Sequence, residues 1–78
     1  MPKLVFLGKL EDIAGAAELT VEAGAVEQIL ASLDPALAIE LLGEKVRMAL
    51  NGSLITDMGG VTLSEGDELA FLPPVSGG

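Results

Sequence analysis

A chain of 78 residues that contains no cysteine must fold around its apolar side chains alone, because neither disulfides nor thiolate metal sites are available to it. A folded chain of this size buries only about 60% of the surface that its unfolded form exposes. Half of the residues are hydrophobic, and the only aromatic ones are Phe6 and Phe71. The sequence therefore predicts a single folded domain with a thin, mainly aliphatic core.

The charge balance excludes several classes of function. Four lysine and arginine residues against twelve aspartate and glutamate residues give a net charge of −8. Such a chain repels phosphate backbones and anionic lipids, so we expect no nucleic-acid ligand and no membrane anchor, and we favour protein partners with basic surfaces. The sequence shows neither a secretory signal nor an apolar stretch long enough to cross a membrane, which favours a cytoplasmic, soluble protein.

The inventory of reactive side chains argues against an enzyme. Histidine is absent, which removes the commonest general base and the commonest metal ligand and leaves the serines without an activating partner. The adjacent carboxylates at residues 11–12 and 67–68 are best explained as solvated surface. The Met58-Gly59-Gly60 loop lacks the strand-to-helix context of a phosphate-binding loop. We therefore expect a chain that is not an enzyme on its own and binds neither a metal ion nor a cofactor.

The first half of the chain predicts a hairpin followed by a helical section. Residues 3–7 are a short run of strand formers, and the alternating residues 18–21 are expected to pair with them. A helical turn that stops at Gly15 lies between the two strands. Apolar residues then recur at helical spacing over residues 26–33, and Asp34-Pro35 is typical of the start of a further helical piece that ends at Gly43.

The second half predicts three strands. Residues 46–50 alternate, and Asn51-Gly52 is typical of a type I′ hairpin turn with residues 53–56 as the return strand. An irregular loop at 57–60 and a turn at 63–67 lead to a final strand at 68–72, which Pro73-Pro74 must end. The predicted fold class is α+β: one mixed sheet with one main helix packed on one face.

The most informative segment is the end of the chain, Pro73-Pro74-Val75-Ser76-Gly77-Gly78. The two prolines hold the chain extended and away from the domain. The last two residues have no side chains, so the tail can enter a channel too narrow for any Cβ atom and present its terminal carboxylate there. We therefore divide the chain into a folded domain at residues 1–74 and a flexible glycine tail at residues 75–78; a frayed terminus without a function is the alternative.

Alternation along the first and last strands predicts an apolar patch on the face of the sheet away from the helix. Lys3 and Glu68 should be solvated, which fixes the face of every other residue in their strands. The residues assigned to the core are Leu4, Phe6, Leu69 and Phe71. The residues assigned to the outer face are Val5, Leu7, Ala70 and Leu72. If the two strands are neighbours, these outer residues form one exposed apolar patch beside the tail, which indicates a protein interface.

These segments together resemble a known family over essentially the whole chain. The similarity is densest in Ala49-Leu50-Asn51, in Leu63-Ser64-Glu65-Gly66-Asp67-Glu68-Leu69 and in Phe71-Leu72-Pro73-Pro74-Val75-Ser76-Gly77-Gly78. The chain resembles the family of molybdopterin synthase small subunits, the MoaD-like sulfur carriers with the ubiquitin-like β-grasp fold. One departure is Leu72, where many relatives have a second phenylalanine.

The resemblance implies a specific chemistry for the last residue. An activating enzyme of the ubiquitin-activating type would use ATP to adenylate the carboxylate of Gly78, and sulfur from a donor protein would then replace AMP to give a thiocarboxylate. By the same resemblance, Val75, Ser76 and Gly77 make the contacts within the partner's tunnel. That partner is the large synthase subunit, with two copies of each subunit in the assembly. It would supply the catalytic side chains that transfer the sulfur onto precursor Z to form molybdopterin.

Other functions use the same tail chemistry and stay open at this point. Sulfur carriers of thiamin synthesis share the fold and the Gly-Gly end, although they look less like this C-terminal block. Carriers for tRNA thiolation and ubiquitin-like protein modifiers look nearly identical to this sequence. A small acidic protein-binding module with an incidental tail belongs to a different class altogether.

Overall fold

The computed structural model of the protein describes residues 1–74; residues 75–78 lie outside the described part. Strands and short helices alternate along the described chain. In chain order they are β1 (Lys3–Phe6), α1 (Lys9–Ala14), β2 (Glu18–Thr20), β3 (Gly24–Ala25), α2 (Val26–Ala31), α3 (Pro35–Leu41), β4 (Arg47–Leu50), β5 (Ser53–Ile55), β6 (Thr62–Leu63) and β7 (Glu68–Leu72).

The main sheet has five strands in the order β2-β1-β7-β4-β5. The first and last strands of the chain, β1 and β7, lie side by side and run parallel, whereas the other neighbouring pairs are antiparallel. Strand β7 is therefore central, and its carboxyl end delivers the chain to the C-terminal tail. A second, two-stranded sheet pairs β3 with β6.

Local sequence signals place the turns and helix ends. Gly15 ends α1 in the left-handed conformation with φ of 80°, as the sequence predicts. Asn51 and Gly52 both have positive φ, 49° and 88°, as a type I′ turn between β4 and β5 requires. The carboxylate of Asp34 accepts a hydrogen bond of 2.9 Å from the backbone N–H of Ala36 and so caps α3.

The core lies between the main sheet and the helices. Phe6 of β1 and Phe71 of β7 stack with their ring centroids 5.8 Å apart, and both are almost completely buried. The other buried members of this cluster are Leu4, Leu10, Val26, Ile29, Leu30, Leu41, Leu63 and Leu69. All but the two rings are aliphatic, which confirms the predicted character of the core.

The α+β fold class is confirmed: it is a mixed sheet with helices on one face. The predicted helical section consists of the two short helices α2 and α3, because Asp34-Pro35 starts a new helix three residues after α2 ends. The turn expected at residues 63–67 is wrong at its first residue. Leu63 belongs to strand β6 and is fully buried, because its side chain fills the core beneath the sheet. Of the helices within residues 1–74, none is long and apolar enough to cross a membrane.

Candidate functional site

The outer face of the main sheet is built by the alternation of β1 and β7. The parallel register places Val5 opposite Ala70, while the intervening residues Leu4, Phe6, Leu69 and Phe71 are buried on the inner face. Leu72 follows Ala70 on the same face. Leu7 lies one residue beyond β1, and its backbone N–H still donates to the carbonyl of Phe71 at 3.1 Å, so it continues the ladder. The structure therefore brings all four predicted outer residues together.

These four residues differ in exposure. Leu7 is 41% exposed, whereas Val5, Ala70 and Leu72 are half-buried between their neighbours in the sheet. Apolar side chains that border one another on a solvated sheet face are typical of a surface that another protein covers. The faces predicted from the sequence are confirmed, and the parallel pairing of β1 with β7 supplies the adjacency on which the predicted patch depends.

Two further residues extend the face across the sheet. Ala49 of β4 pairs with Ala70 on one side and with Leu54 of β5 on the other. Leu54 is 68% exposed, so it adds a large, accessible apolar side chain to this face. We call Val5, Leu7, Ala49, Leu54, Ala70 and Leu72 the outer-face patch. The row from Val5 to Leu54 crosses four strands, which at the usual strand spacing spans about 14 Å.

Sequence reasoning missed Ala49 and Leu54 as members of the patch. The alternation of β4 does place Ala49 on the outer face, and the hairpin turn then fixes Leu54 opposite it. What the sequence lacks is any signal that β4 lies beside β7, because that pairing joins segments about twenty residues apart. The patch is continuous because β4 pairs with β7, and the alternation along β4 alone does not predict that pairing.

The tail leaves the domain beside this patch. Pro73 packs closely against Gly8, where a Cβ atom would lie 2.9 Å from Cγ of Pro73. Gly8 has φ of 56°, a conformation that favours glycine, so its missing side chain leaves room for the proline at this point. The root of the tail is thereby held against the loop between β1 and α1, next to Leu7.

Charged residues border the patch. Nζ of Lys3 lies 3.6 Å from the carboxylate of Glu18 at the β2 edge of the face. Arg47 pairs with Leu72 in the register of β4 and β7, and its Nη1 donates a hydrogen bond of 3.1 Å to the carbonyl of Glu44. Arg47 thus lies at the end of the apolar surface beside the tail root, and Lys3 lies at the opposite end.

A hydrogen-bonded link fixes the start of β7. The amide of Asn51 donates to the carboxylate of Asp67 at 3.0 Å, and its oxygen accepts from the backbone N–H of Glu68 at 3.0 Å. The backbone N–H of Ser64 donates to the same carboxylate at 2.8 Å. The Ser64 N–H, and after it the Asn51 amide, lower the pKa of Asp67, because both stabilise its charged form. The sequence indicates Asn51 only as a turn residue.

Among residues 1–74, no three acidic side chains come together in a group that could hold a metal ion. The remaining predicted site residues, Val75, Ser76, Gly77 and Gly78, lie outside the described residues. What the described domain does provide is an apolar sheet face and, beside it, the root of the tail.

The sheet order, with parallel first and last strands at its centre and helices on one face, defines a ubiquitin-like β-grasp protein. Comparison with known proteins gives the family. The model of the ThiS family matches residues 4–78. The chain therefore belongs to the ThiS family of ubiquitin-like sulfur carriers.

Several relatives are similar over almost the full length. A molybdopterin synthase sulfur carrier subunit from Chlamydomonas reinhardtii is 32% identical, over 97% of this chain and 96% of the relative. The solution structure of the small archaeal modifier protein 1 from Methanosarcina acetivorans is 30% identical with a TM-score of 0.77, covering 99% of this chain and 95% of that one. A complex of subunits 1 and 2 of the molybdopterin-converting factor from Helicobacter pylori contains a chain with 25% identity and a TM-score of 0.72, covering 99% and 97%.

Proposed function

We propose that the protein is the sulfur-carrying small subunit of a molybdopterin synthase. The observation that carries this proposal is the Chlamydomonas reinhardtii relative of that description, which matches from end to end. The similarity to a chain of the two-subunit Helicobacter pylori complex adds support. The outer-face patch beside the tail root suits such a role, since a partner that covers the patch meets the tail at the same place.

The proposed reaction cycle acts on the terminal carboxylate of Gly78, because a carboxylate is too poor an electrophile to accept sulfur directly. A carboxylate oxygen attacks the α-phosphorus of ATP on the activating enzyme, which forms an acyl-adenylate and releases pyrophosphate. A sulfur nucleophile then attacks the acyl carbon and displaces AMP, which leaves a thiocarboxylate. That sulfur then attacks a carbon of precursor Z in the large subunit. Water cleaves the acyl C–S bond, so the sulfur stays on the pterin and the carrier returns with a carboxylate.

In this proposal the domain and the tail have separate tasks. The outer-face patch supplies the apolar contact with the large subunit, with Leu7 and Leu72 nearest to the tail root. Val75, Ser76 and Gly77 pass through the tunnel. Gly77 has no side chain, so it fits where the tunnel is too narrow for a Cβ atom. The chain itself contributes the reacting carboxyl group and no catalytic side chain.

A second function has its own support. The Methanosarcina acetivorans relative is described as a modifier protein and is similar over the whole chain. A ubiquitin-like modifier starts from the same activated carboxylate, but an amine attacks the acyl carbon and the product is an amide. The two functions therefore differ in the recipient of the activated tail and not in the fold.

Reconstitution separates these functions. The thiocarboxylated chain is mixed with the large synthase subunit from the same genome and with precursor Z, and both the pterin product and the intact mass of the chain are followed. We expect the dithiolene product to form while the chain returns to its carboxylate mass. If no product forms, and cell extract with ATP instead attaches the chain to lysines of other proteins, the modifier function replaces this proposal.

A further inference from the structure

The few cations of this acidic protein are unevenly distributed. Of its four lysine and arginine residues, three surround the root of the tail. Lys9 begins α1 directly after the glycine that packs against Pro73, and Arg47 lies opposite Leu72 in the sheet. Lys45 and Lys9 line, together with Pro74, a hollow of about 280 Å³. We call Lys9, Lys45 and Arg47 the basic collar.

The fourth cation lies at the opposite end of the sheet. Lys3 pairs with Glu68, which precedes Leu72 by four residues, or about 13 Å along the strand. Lys3 also forms an ion pair with Glu18. A cation engaged by a carboxylate thus lies at one end of the sheet, and three cations lie around the tail root at the other end.

The collar residues are available to a partner. All three side chains are exposed, and none of them takes part in either of the two ion pairs found among residues 1–74. Arg47 uses one nitrogen for the carbonyl of Glu44, which leaves its other donors directed to solvent or to a partner. Two carboxylates, Glu40 and Glu44, line the same hollow, so the three cations only just outnumber the nearby anions.

Chain length limits what the collar can touch. Gly78 follows Pro74 by four residues, and four extended residues span at most about 14 Å. When the tail is drawn into a channel, the collar therefore stays at the mouth while the carboxylate of Gly78 reaches the reacting groups. The phosphates of ATP at the bottom of the channel are out of its reach, and protein side chains at the rim are its neighbours.

We propose that the basic collar binds carboxylates at the mouth of the tail channel of the adenylating enzyme. The proposal rests on the proposed function, in which that enzyme receives the tail first. Charge complementarity selects the partner groups, because three exposed cations that form neither of the ion pairs found among residues 1–74 favour carboxylates at the rim of the channel. The net charge of −8 by itself favours a partner with a basic surface. The basic collar adds that the partner's surface around the tail channel is acidic.

Charge reversal with a matched control tests this proposal. Lys45→Glu and Lys3→Glu both bring the net charge to −10, but only the first alters the collar. Pyrophosphate release by the adenylating enzyme from the same genome is measured against carrier concentration at low and high salt. We expect Lys45→Glu to lower kcat/KM roughly ten-fold at low salt, mainly through a slower association, and high salt to reduce the difference. Lys3→Glu should change it by less than about two-fold.

Two variants that each neutralise one carboxylate test whether a more positive charge near the tail root increases kcat/KM. Glu44→Gln removes a negative charge beside the collar, whereas Glu22→Gln removes one from the loop after β2, away from the tail root. The proposal expects Glu44→Gln to raise kcat/KM and Glu22→Gln to leave it unchanged or to lower it. Thermal unfolding of each variant excludes a change in folding as the cause.

The outcomes distinguish a failure of the collar proposal from a failure of the proposed function on which it rests. If the wild-type chain releases pyrophosphate but Lys45→Glu and Lys3→Glu have the same effect, the collar proposal is overturned while the proposed function stands. A faster reaction of Lys45→Glu than of wild type also overturns it, because the channel mouth would then be basic. If the enzyme adenylates another carrier and never this wild-type chain, the proposed function falls and the collar proposal with it.

Discussion

Replacing Leu72 by aspartate separates the proposed docking function of the outer face from the stability of the fold. Leu72 lies at the carboxyl end of β7, half-buried on the outer face and next to the tail root. Phe71, its neighbour in sequence, is fully buried on the inner face. A carboxylate at position 72 therefore points away from the core, and the register places Arg47 opposite it as a cation. The isolated domain should stay folded.

The expected loss lies in binding to the large subunit. A central apolar anchor of an interface contributes about 2–4 kcal/mol, and the aspartate would also bury a charge under the partner. At 1.4 kcal/mol for each factor of ten, this range weakens the dissociation constant by roughly 30- to 1,000-fold. Isothermal titration calorimetry with the large subunit measures the change, and circular dichroism with thermal unfolding checks the fold.

A matched variant on the other face supplies the control. Leu69→Asp introduces the same side chain into the same strand, but Leu69 is fully buried in the core. An unpaired charge at that position should unfold the domain, because burying it costs far more than a chain of this size can offset. If Leu72→Asp unfolds the domain in the same way, the assignment of the faces is wrong. If it folds and binds with unchanged affinity, the outer-face patch is not the docking site.

Two further predictions concern the tail and the link at the start of β7. Gly77→Val adds a β-branched side chain in the tail, so adenylation should fail while the melting temperature stays unchanged; normal adenylation of this variant would show that no narrow channel receives the tail. Asp67→Asn should destabilise the domain at neutral pH. Because the pKa of Asp67 is lowered in the folded state, its contribution is present above the unfolded pKa of about 3.9 and is lost as the pH falls through the folded pKa. Urea unfolding should therefore show a difference between wild type and Asp67→Asn at pH 7 that shrinks below pH 4, and a difference independent of pH would contradict this cause.

The features predictable from sequence were those with a strong local signal. The bounds of β7 follow from alternation and from Pro73-Pro74, and the hairpin follows from Asn51-Gly52. The helix start at Asp34 follows from capping chemistry. Period-two alternation also places Leu69 and Phe71 in the core, because a solvated Glu68 fixes the face of every other residue in the strand.

Features that depend on pairing between segments far apart in the chain could not be predicted from the sequence. Strands β3 and β6 have two residues each, too few to show any period, so Leu63 was assigned to a turn. The link between Asn51 and Asp67 joins residues far apart in the chain, and neither residue type indicates a partner. The extent of the outer-face patch depends on which strands are neighbours, and Leu54 enters it only through the register of β4 and β5.

The proposed function requires that the carboxylate of Gly78 be converted to a thiocarboxylate, and intact-mass spectrometry detects this conversion. The chain is incubated with the adenylating enzyme from the same genome, ATP and a sulfide source. We expect a mass increase equal to the difference between one sulfur and one oxygen atom, and no increase in variants with one residue added after Gly78 or with Gly78 deleted. An unchanged mass of the wild-type chain, with an enzyme shown to be active on another carrier, would contradict the account.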